Sequence, residues 1–556
     1  MKSYKDTKIA IMGFGFLMGY IYDCYANFLG KENLKTNIIA ITADQNTIEE
    51  KRRKYPFEIS LKDNLGALRK IEPDIILFAP PPSVAPQIID NELKQYFKEC
   101  KEKPDIYAFP PTPPGKYYLD VLGDDIFVCN ILPNMVKEIG GVSLKGREGY
   151  STVTYPEGLV EDPERVKRLD DFLRPLGTTV AVQPDKIMDV LAAYVMIDLW
   201  PHRIIKSAEY LEMDRHMDFL EKSEVAKTII KEISSGILEY LEDKGFDPVE
   251  AEQIVFKRNR LVFHLIADTE KEILLKDMAS HATTGGVFEK GVRLHEIFLD
   301  HSIEDLLDGK DTDIRLLTKS MLELISEHGR RLSESDISRE LHPGIHAMLF
   351  GLYVRELKKR SNADYSDLVK ETVIKYGNQR GRRMRIRSDR AGFTGNMNDY
   401  MAFGEWKAEK GSMDIREVRR DTPAVTRVHK CPWCTEWKKY GFMEEGLHYC
   451  RYVDKALVEG FNSSLELGLK TIKPEGYDYC EFEWNEASLD EIQEVDEKNR
   501  IMPWDFHIAH LFNCIIELLP EDKEIHKKLA EDIKGIYGVD LFRIREKYKG
   551  FDFNSP

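Results

Sequence analysis

The feature that most constrains this chain is a pair of glycines that follows an apolar run near its first residue. Residues 9–12 are apolar, Gly13 and Gly15 come next, and a helix-like segment extends from Tyr20 to about Leu29. A strand, a glycine turn and a helix in this order are typical of a site that binds a phosphate group. Gly13 permits a tight turn, Gly15 lets the backbone approach a pyrophosphate, and the N-terminus of the helix faces the negative charge. The pattern predicts a Rossmann domain that binds a nicotinamide dinucleotide.

The candidate cofactor-binding residues lie at the ends of predicted strands and at the start of the first helix. They are Gly13, Gly15, Phe16, Leu17, Asp44 and Pro80. Asp44 follows a second strand over 37–42, where an acidic side chain accepts hydrogen bonds from the adenosine ribose hydroxyls and favours NAD. Three basic residues at 51–53 would instead meet the 2′-phosphate of NADP. The sequence therefore leaves the choice between NAD and NADP open.

The chain changes character twice along its length. Apolar segments at 74–79, 105–109 and 125–131 alternate with helical stretches, as a doubly wound parallel sheet requires. After Asp185 this alternation stops, and long amphipathic helices such as 188–210 and 249–273 follow. A polar, acidic break comes at 308–313. We therefore predict an α/β Rossmann domain (1–185), an all-α helical domain (186–305) and an α+β cysteine-containing domain (306–556).

Charge and hydropathy argue against two classes of partner. The formal net charge of -16 disfavours nucleic acid, because a phosphate backbone would be repelled. No stretch approaches the roughly 20 apolar residues that a membrane helix needs. Eight cysteines in 556 residues do not make a disulfide scaffold. We expect a cytoplasmic enzyme with a small-molecule substrate.

Residues 8–300 contain three short motifs in sequence order. They are Gly13-x-Gly15, Leu-Pro-Asn-Met at 132–135 and Thr283-Thr284-Gly285-Gly286. In this order they resemble the pyrroline-5-carboxylate reductase family. The resemblance implies reduction of a cyclic imine by NAD(P)H and a helical domain that forms a homodimer or larger homo-oligomer. It also implies that Thr283, Thr284, Gly285 and Gly286 bind the substrate carboxylate. The next two residues are apolar where the family has hydroxyls, which indicates another substrate.

Four of the eight cysteines lie within fifty residues, at Cys431, Cys434, Cys450 and Cys480. The two-residue spacing of the first pair lets two thiolates meet one ion. The four cysteines could therefore be ligands of a metal or iron–sulfur cluster, nucleophilic thiols with an acidic or histidine helper, or inert core residues.

Two other polar patterns precede these cysteines. The arginine-rich run at 380–390 is either a solvated helix face or a guanidinium clamp for a carboxylate. His342 and His346 are four residues apart, but proline and glycine between them spoil a helical metal pair, so we expect a structural role. The tail beyond 488 is helical, and no residue in it predicts chemistry.

An ordered set of short pieces accompanies the cysteines. The set comprises Tyr-Gly-Asn-Gln-Arg-Gly-Arg-Arg at 376–383, Asn398 to Trp406, Cys431-Pro432-Trp433, Tyr449-Cys450-x3-Asp454, Glu-Gly-Phe-Asn at 459–462 and Gly476-x3-Cys480. Over about 340–487 the chain thus resembles the L-2-amino-thiazoline-4-carboxylic acid hydrolase family. The resemblance implies water-dependent opening of a sulfur–nitrogen ring at Cys431, Cys450, Asp454 and Cys480. Cys434 is a fourth cysteine that the family pattern does not account for, and its presence keeps the metal alternative open.

The two resemblances lead to one hypothesis. Pyrroline carboxylates and aminothiazoline carboxylates are both five-membered rings with a C=N bond and a carboxylate. We therefore predict a bifunctional enzyme that acts on a small cyclic imino acid, with hydride transfer in one half and hydrolytic C–N ring opening in the other. Two alternatives remain: a reductase whose cysteine domain binds a metal or iron–sulfur cluster, and a non-catalytic protein regulated by a dinucleotide.

Overall fold

The computed structural model describes most of the chain as two compact units, 1–337 and 338–556. The described residues are 7–29, 37–133, 150–156, 162–210, 224–267, 285–307, 309–310, 312–332, 340–360 and 365–556. Within these ranges, no helix has both the length and the apolar composition needed to cross a membrane.

The first unit begins with an eight-stranded sheet in the order β3-β2-β1-β4-β5-β6-β7-β8. The strands are β1 Ile9–Met12, β2 Ile38–Thr42, β3 Glu58–Leu61, β4 Ile75–Phe78, β5 Asp105–Ala108, β6 Val128–Leu132, β7 Tyr150–Thr154 and β8 Thr178–Ala181. The first six are parallel, β7 is antiparallel to β6, and β8 is parallel to β7. The order of the first six strands is that of a dinucleotide-binding Rossmann fold, which confirms the predicted fold class.

Helices cover both faces of this sheet. They are α1 Phe16–Leu29, α2 Ile48–Lys54, α3 Asn64–Ile71, α4 Ala85–Ile88, α5 Lys94–Glu99, α6 Gly115–Leu122 and α7 Pro163–Leu173. Strands β1 and β4 are apolar at every position because both of their faces are buried, and two hydrophobic clusters form, one on each face. The sheet therefore holds the carboxyl ends of β1 and β4 rigidly beside each other.

A helical region follows, as predicted. Its helices are α8 Ile187–Tyr210, α9 Glu224–Asp243, α10 Pro248–Ala267, α11 Val287–Leu294, α12 Asp300–Leu307 and α13 Ile314–Arg330. The buried carboxylate of Asp189 ties them together, because it accepts hydrogen bonds from Tyr240 (2.5 Å), Ser326 (2.8 Å) and Arg330 (2.6 Å).

One helix lies in a different unit from the one that the predicted boundary at 306 gives it. Helix α13 carries an apolar face that packs on α8 and α9. Two of its residues, Ser326 and Arg330, also bind Asp189 at the start of α8. The compact unit therefore continues to residue 337. The described residues of the acidic break at 308–313 therefore lie between two helices of one unit.

The second unit combines helices with a four-stranded antiparallel sheet in the order β11-β12-β10-β9. The strands are β9 Asp414–Arg419, β10 Ala424–Lys430, β11 Leu467–Thr471 and β12 Cys480–Trp484. The helices are α14 Pro343–Arg360, α15 Ser366–Arg390, α16 Met397–Ala402, α17 Pro432–Tyr440, α18 Met443–Phe461, α19 Trp504–Leu518, α20 Lys523–Tyr537 and α21 Leu541–Lys547. This architecture confirms the predicted α+β class.

Helices α15 and α18 pack unusually closely, and glycines in α15 make the contact possible. A Cβ atom at Gly381 would lie 2.2 Å from the carbonyl oxygen of Leu457, and one at Gly377 would lie 2.6 Å from the Cβ of Ala456. Neither contact could be accommodated with a side chain present. The close packing brings Arg380, between these glycines, near to Tyr449 and Asp454 of α18.

Candidate functional sites

The glycine turn after β1 has the geometry that a dinucleotide requires. Gly13 has a φ of 83°, and a Cβ atom there would lie 2.6 Å from the carbonyl carbon of Ala79, at the end of β4. Only glycine fits, because the turn touches the β4 backbone just before Pro80. At exposed Gly15, by contrast, the nearest atom to an added Cβ would be 4.0 Å away. The backbone of Gly15 is therefore open on the side where a ligand approaches.

This turn lies at the point where the strand order reverses between β1 and β4. Ligands of open parallel sheets bind there, beyond the carboxyl ends of the strands. Helix α1 begins at Phe16, so the N–H groups of its first turn, including that of Leu17, point toward the same place. The residues present therefore fit the pyrophosphate of a nicotinamide dinucleotide.

Asp44 lies just past the end of β2, where the sequence predicted a ribose ligand. Its carboxylate accepts hydrogen bonds from the Asn46 N–H (3.0 Å) and the Thr47 hydroxyl, and it lies 3.5 Å from the Lys51 ammonium. The Thr47 hydroxyl is the largest influence on the pKa of Asp44 and lowers it. Arg52 donates to the Ile59 carbonyl and the Glu49 carboxylate. Asp44 is thus held ionised, and all three basic residues suggested for NADP already have partners, since Arg53 donates to the Glu49 carbonyl at 3.2 Å.

The predicted substrate-carboxylate loop is only partly described. Thr283 and Thr284 lie outside the described residues. The Gly285 N–H donates to the Glu289 carboxylate. The Gly285 carbonyl oxygen lies 2.9 Å from Nε2 of His328. Gly286 precedes α11. In this structure a carboxylate of the chain itself binds the Gly285 N–H.

The four clustered cysteines come together at one end of the β10-β12 pair. Cys431 follows β10 and is the N-cap of α17, Cys434 lies in the first turn of that helix, and Cys480 opens β12 opposite Val428. Cys450, on α18, joins them in one apolar cluster with Cys431 and Cys480. All four are free thiols.

Hydrogen bonds connect three of these thiols in a row, because Cys434 contacts both Cys431 and Cys450. The bond from Cys434 favours the Cys450 thiolate, but burial and the acidic neighbours outweigh it and raise the pKa of Cys450. The bond to Cys434, together with burial, raises the pKa of Cys431 well above its ordinary value. Burial raises the pKa of Cys480 to about 11. All these groups are therefore neutral thiols near pH 7, and a nucleophile among them needs a base.

The arrangement does not fit the metal alternative. Within the part of the chain that the structure describes, which includes all four cysteines, no three His, Cys, Asp or Glu side chains are placed to hold one ion. The sulfur of Cys480 instead accepts a hydrogen bond of 3.3 Å from the backbone N–H of Lys473. The cysteines form a thiol cluster and not a ligand set.

Asp454 is the candidate acidic helper of this cluster. It follows Cys450 by four residues on α18, so the two side chains lie on one helix face, about 5–6 Å apart at Cβ. Burial raises the pKa of Asp454 to about 6, although the positive charge of Arg380 opposes the shift. Among the described residues, Asp454 has neither a hydrogen-bond partner nor an ion pair. A partly buried carboxyl group that is free to exchange a proton is suited to general acid–base catalysis.

The arginine-rich run is largely buried, which rules out a purely solvated face. Arg380, Arg383 and Arg387 all bind the carboxylate of Glu405, which has no exposed surface. The donor–acceptor distances are 3.2 Å from Arg380 Nε, 2.9 Å from Arg383 Nη2 and 2.9 Å from Arg387 Nη1. Burial alone would raise the pKa of Glu405, but Arg383 and Arg380 hold it at about 2.

Several residues of this site were missed or predicted to be structural. His346 is fully buried, with Nδ1 3.1 Å from the Trp433 indole nitrogen and Nε2 3.0 Å from the Tyr376 hydroxyl. Burial, together with His507 and Arg380, lowers the pKa of His346 well below its ordinary value. His507 comes from the tail in which the sequence predicted no chemistry. No spacing in the sequence connects these positions, because they meet only in the folded unit.

Comparisons with known proteins give matches in both units. The L-2-amino-thiazoline-4-carboxylic acid hydrolase family matches residues 343–484. Structures similar to the first unit include pyrroline carboxylate reductase from Plasmodium falciparum with NADP bound. That protein shares 14% identity and has a TM-score of 0.29, and the match covers 60% of this chain and 100% of the other.

Two further structures are similar to the same region. Pyrroline-5-carboxylate reductase from Coxiella burnetii shares 15% identity at a TM-score of 0.31, covering 59% of this chain and 99% of that one. Arogenate dehydrogenase from Synechocystis shares 14% at a TM-score of 0.26, covering 47% and 87%. A search of curated protein sequences gives no significant match. The hydrolase-family segment lies within the second unit and contains the thiol cluster, Asp454 and Arg380.

Proposed function

We propose that this protein is a bifunctional enzyme that acts on a small cyclic imino acid. The second unit opens the ring by hydrolysing a C–N bond, and the first unit transfers a hydride between NAD(P) and a C–N bond. The observation that carries the ring-opening activity is the placement of Cys450 and Asp454 on one face of α18, with Asp454 lacking a partner among the described residues. The match of residues 343–484 to the hydrolase family supports the same chemistry.

The roles of these two residues follow from their protonation states. Cys450 is a neutral thiol, and Asp454 is ionised above about pH 6 and can take its proton. The sulfur then bonds to the C=N carbon of the ring, and Asp454 passes the proton to the ring nitrogen. Water replaces the sulfur, which restores the Cys450 thiol. The C–N bond breaks as the carbon becomes a carbonyl and the nitrogen an amine, so one water is consumed.

Cys431 and Cys480 support Cys450 in this proposal. Both pack against it in the same apolar cluster, and their raised pKa values keep them uncharged beside the reacting sulfur. Neutral neighbours matter because a second thiolate would repel the first. Cys434 donates to the Cys450 sulfur and so stabilises the thiolate as it forms.

The first unit would hold the cofactor at Gly13, Gly15, Phe16, Leu17, Asp44 and Pro80. Bound NAD(P) supplies or accepts the hydride. The ionised Asp44 favours NAD, because its carboxylate accepts ribose hydroxyls and repels a 2′-phosphate. The Thr283–Gly286 loop remains the proposed binding site for the substrate carboxylate in this unit. Assembly into a homodimer or larger homo-oligomer rests on the pyrroline-5-carboxylate reductase resemblance.

A mass-spectrometric product assay tests both activities. The purified protein is given 2-aminothiazoline-4-carboxylate and pyrroline-5-carboxylate, each with and without NADH or NADPH. We expect gain of one water without cofactor from the second unit, and gain of two hydrogens only with reduced cofactor from the first. Cys450→Ser should abolish water addition and leave reduction unchanged, because its hydroxyl is far harder to ionise. Ring opening that survives in Cys450→Ser would contradict the assignment.

Cys514→Ser is the matched control for this variant. Cys514 is fully buried on α19 and lies outside the thiol cluster, so the same atomic change is made away from the proposed chemistry. We expect this variant to retain both activities.

A further inference from the structure

Three arginines share one buried glutamate, and two of them have acceptors for both of their terminal nitrogens. Both Arg383 and Arg387 donate to Glu405 at 2.9 Å. Their other guanidinium donors reach backbone carbonyls and one methionine sulfur. The terminal nitrogens of these two arginines therefore already have acceptors.

Arg380 is different. Its Nε–H donates to Glu405 at 3.2 Å, which fixes one edge of the guanidinium group. Its Nη1 and Nη2 have no acceptor among the described residues, although the side chain is only 6% exposed. The Tyr376 ring lies 5.4 Å from its central carbon. A buried arginine normally places all of its donors, so two idle Nη groups indicate a missing acceptor.

The charges around Arg380 indicate the charge of the missing acceptor. The Arg380–Arg383–Arg387 cluster carries three positive charges against the single charge of Glu405. The nearby histidines do not change this balance. Burial and the arginine charges lower the pKa of His507 to about 3 and that of His510 well below its ordinary value, so both are neutral. Asp454, which Arg380 also acts on, is ionised above about pH 6, and one positive charge is still unmatched when it is counted. An anion is therefore the missing partner.

Other buried polar groups lie around the same space. Arg380 acts electrostatically on Asp454, Tyr400 and Tyr449. The two tyrosines are 8% and 5% exposed, and their hydroxyl groups have no partner among the described residues. Tyr449 directly precedes Cys450 on α18. The idle donors thus lie around the proposed base, and one of them belongs to the residue that adjoins the proposed nucleophile.

We propose that Arg380 binds the carboxylate of the ring substrate through Nη1 and Nη2, while Glu405 holds its Nε. A planar guanidinium group binds a carboxylate in a bidentate manner, so this contact orients the ring toward Cys450. The second unit therefore selects small heterocycles that carry a carboxylate and rejects neutral ones. This inference rests on the proposed ring opening and adds the group that the site recognises.

A kinetic comparison tests the assignment. The full-length protein, Arg380→Met and Arg380→Lys are assayed with 2-aminothiazoline-4-carboxylate and with its neutral carboxamide. Arg380→Met should lower kcat/KM for the carboxylate roughly 10- to 100-fold, mainly through KM, while the carboxamide reaction stays within about threefold. The kcat/KM of Arg380→Lys for the carboxylate should lie between those of the unaltered protein and Arg380→Met, because lysine keeps the positive charge but cannot bind a carboxylate in a bidentate manner. An equal loss for both substrates would show that Arg380 is structural and would overturn the proposal.

The control variant is Arg382→Met. Arg382 is exposed on the same helix and donates only to Asn554, at 2.8 Å. We expect it to retain the preference for the carboxylate. Arg383 and Arg387 still neutralise Glu405 in the Arg380 variants, and thermal unfolding checks that these variants fold.

A binding measurement separates this proposal from the proposed function. Thiazole-4-carboxylate and thiazole-4-carboxamide are aromatic rings that cannot be opened, and calorimetry gives their affinities without turnover. The unaltered protein should bind the carboxylate at least about tenfold more tightly, and Arg380→Met should remove that difference. If no substrate is opened but the protein still prefers the carboxylate, the proposed ring opening is wrong and the proposed binding of a carboxylate by Arg380 is supported. Equal affinity for the two rings would overturn the proposal that Arg380 binds the carboxylate.

Discussion

At the level of a single side chain, we expect Asp454 to set the pH dependence of the proposed ring opening. Its pKa is raised to about 6 by burial, and only the ionised form can take the Cys450 proton. We expect kcat/KM to be constant above about pH 6 and to fall about tenfold per pH unit below it. Measuring kcat/KM for 2-aminothiazoline-4-carboxylate from pH 4.5 to 8 checks this.

The Asp454→Asn variant tests whether the fall in kcat/KM at acidic pH, the acid limb of the profile, is caused by the titration of Asp454. An amide cannot accept the thiol proton, so kcat/KM should fall about 10²- to 10⁴-fold and the acid limb should disappear. Glu459→Gln removes an exposed carboxyl from the same helix and should change neither the rate nor the profile. An unchanged acid limb in Asp454→Asn would assign the titration to another group.

The arginine–glutamate cluster belongs to the scale of elements, because it joins α15 to the segment that follows α16. Glu405 has no exposed surface and binds three arginines. Glu405→Gln would leave their charges buried without a counterion, a loss of about 3–5 kcal/mol in the free energy of unfolding. Urea unfolding at pH 7 measures this loss. Glu417→Gln is the control, since Glu417 is half exposed, and its pair with Arg420 contributes at most about 1 kcal/mol.

The same cluster predicts how stability varies with acid. The pKa of Glu405 is lowered from 4.5 to about 2 in the folded protein. Its stabilisation is therefore complete above its ordinary pKa and is lost as the pH falls from about 4.5 toward 2. The difference in unfolding free energy between the unaltered protein and Glu405→Gln should shrink across this interval. A difference that stays constant would mean that the Glu405 charge contributes no stability.

The elements also show how far sequence reasoning extends. Helical periodicity alone puts Cys450 and Asp454 on one face, because both lie on a single helix. The strand, glycine turn and helix at 9–29 are equally local. The pairing of Arg380 with Glu405 and of His346 with Trp433 depends on how distant helices pack, and nothing in the local sequence gives that register. The close contact at Gly377 and Gly381 becomes visible only once α18 lies against α15.

At the scale of the whole molecule, the chain contains two compact units with separate hydrophobic cores. The sequence predicted three regions and their order, but it placed α13 with the cysteines because the acidic segment at 308–313 resembles a linker. Tertiary packing decides this boundary, since the buried Asp189 collects hydrogen bonds from α9 and α13. Because the two proposed sites belong to different units, damage to one site should leave the other active.

Gly15→Ala offers a clean test of that independence. Gly15 does not have a positive φ, and an added Cβ would meet nothing closer than 4.0 Å, so the variant should fold with a stability within about 0.5 kcal/mol of the original. Its methyl group would nonetheless face the pyrophosphate, and NADH binding should weaken more than about tenfold. Fluorescence titration with NADH measures this effect.

Gly13→Ala and Cys450→Ser complete the comparison. Gly13→Ala should also lose NADH binding, but with destabilisation of the first unit, because its Cβ would lie 2.6 Å from the Ala79 backbone. Cys450→Ser should bind NADH normally and fail to open the ring, whereas Gly15→Ala should open it at the normal rate. Since each variant removes one function without unfolding the other unit, parallel loss of both functions in Gly15→Ala would show that ring opening requires the bound dinucleotide.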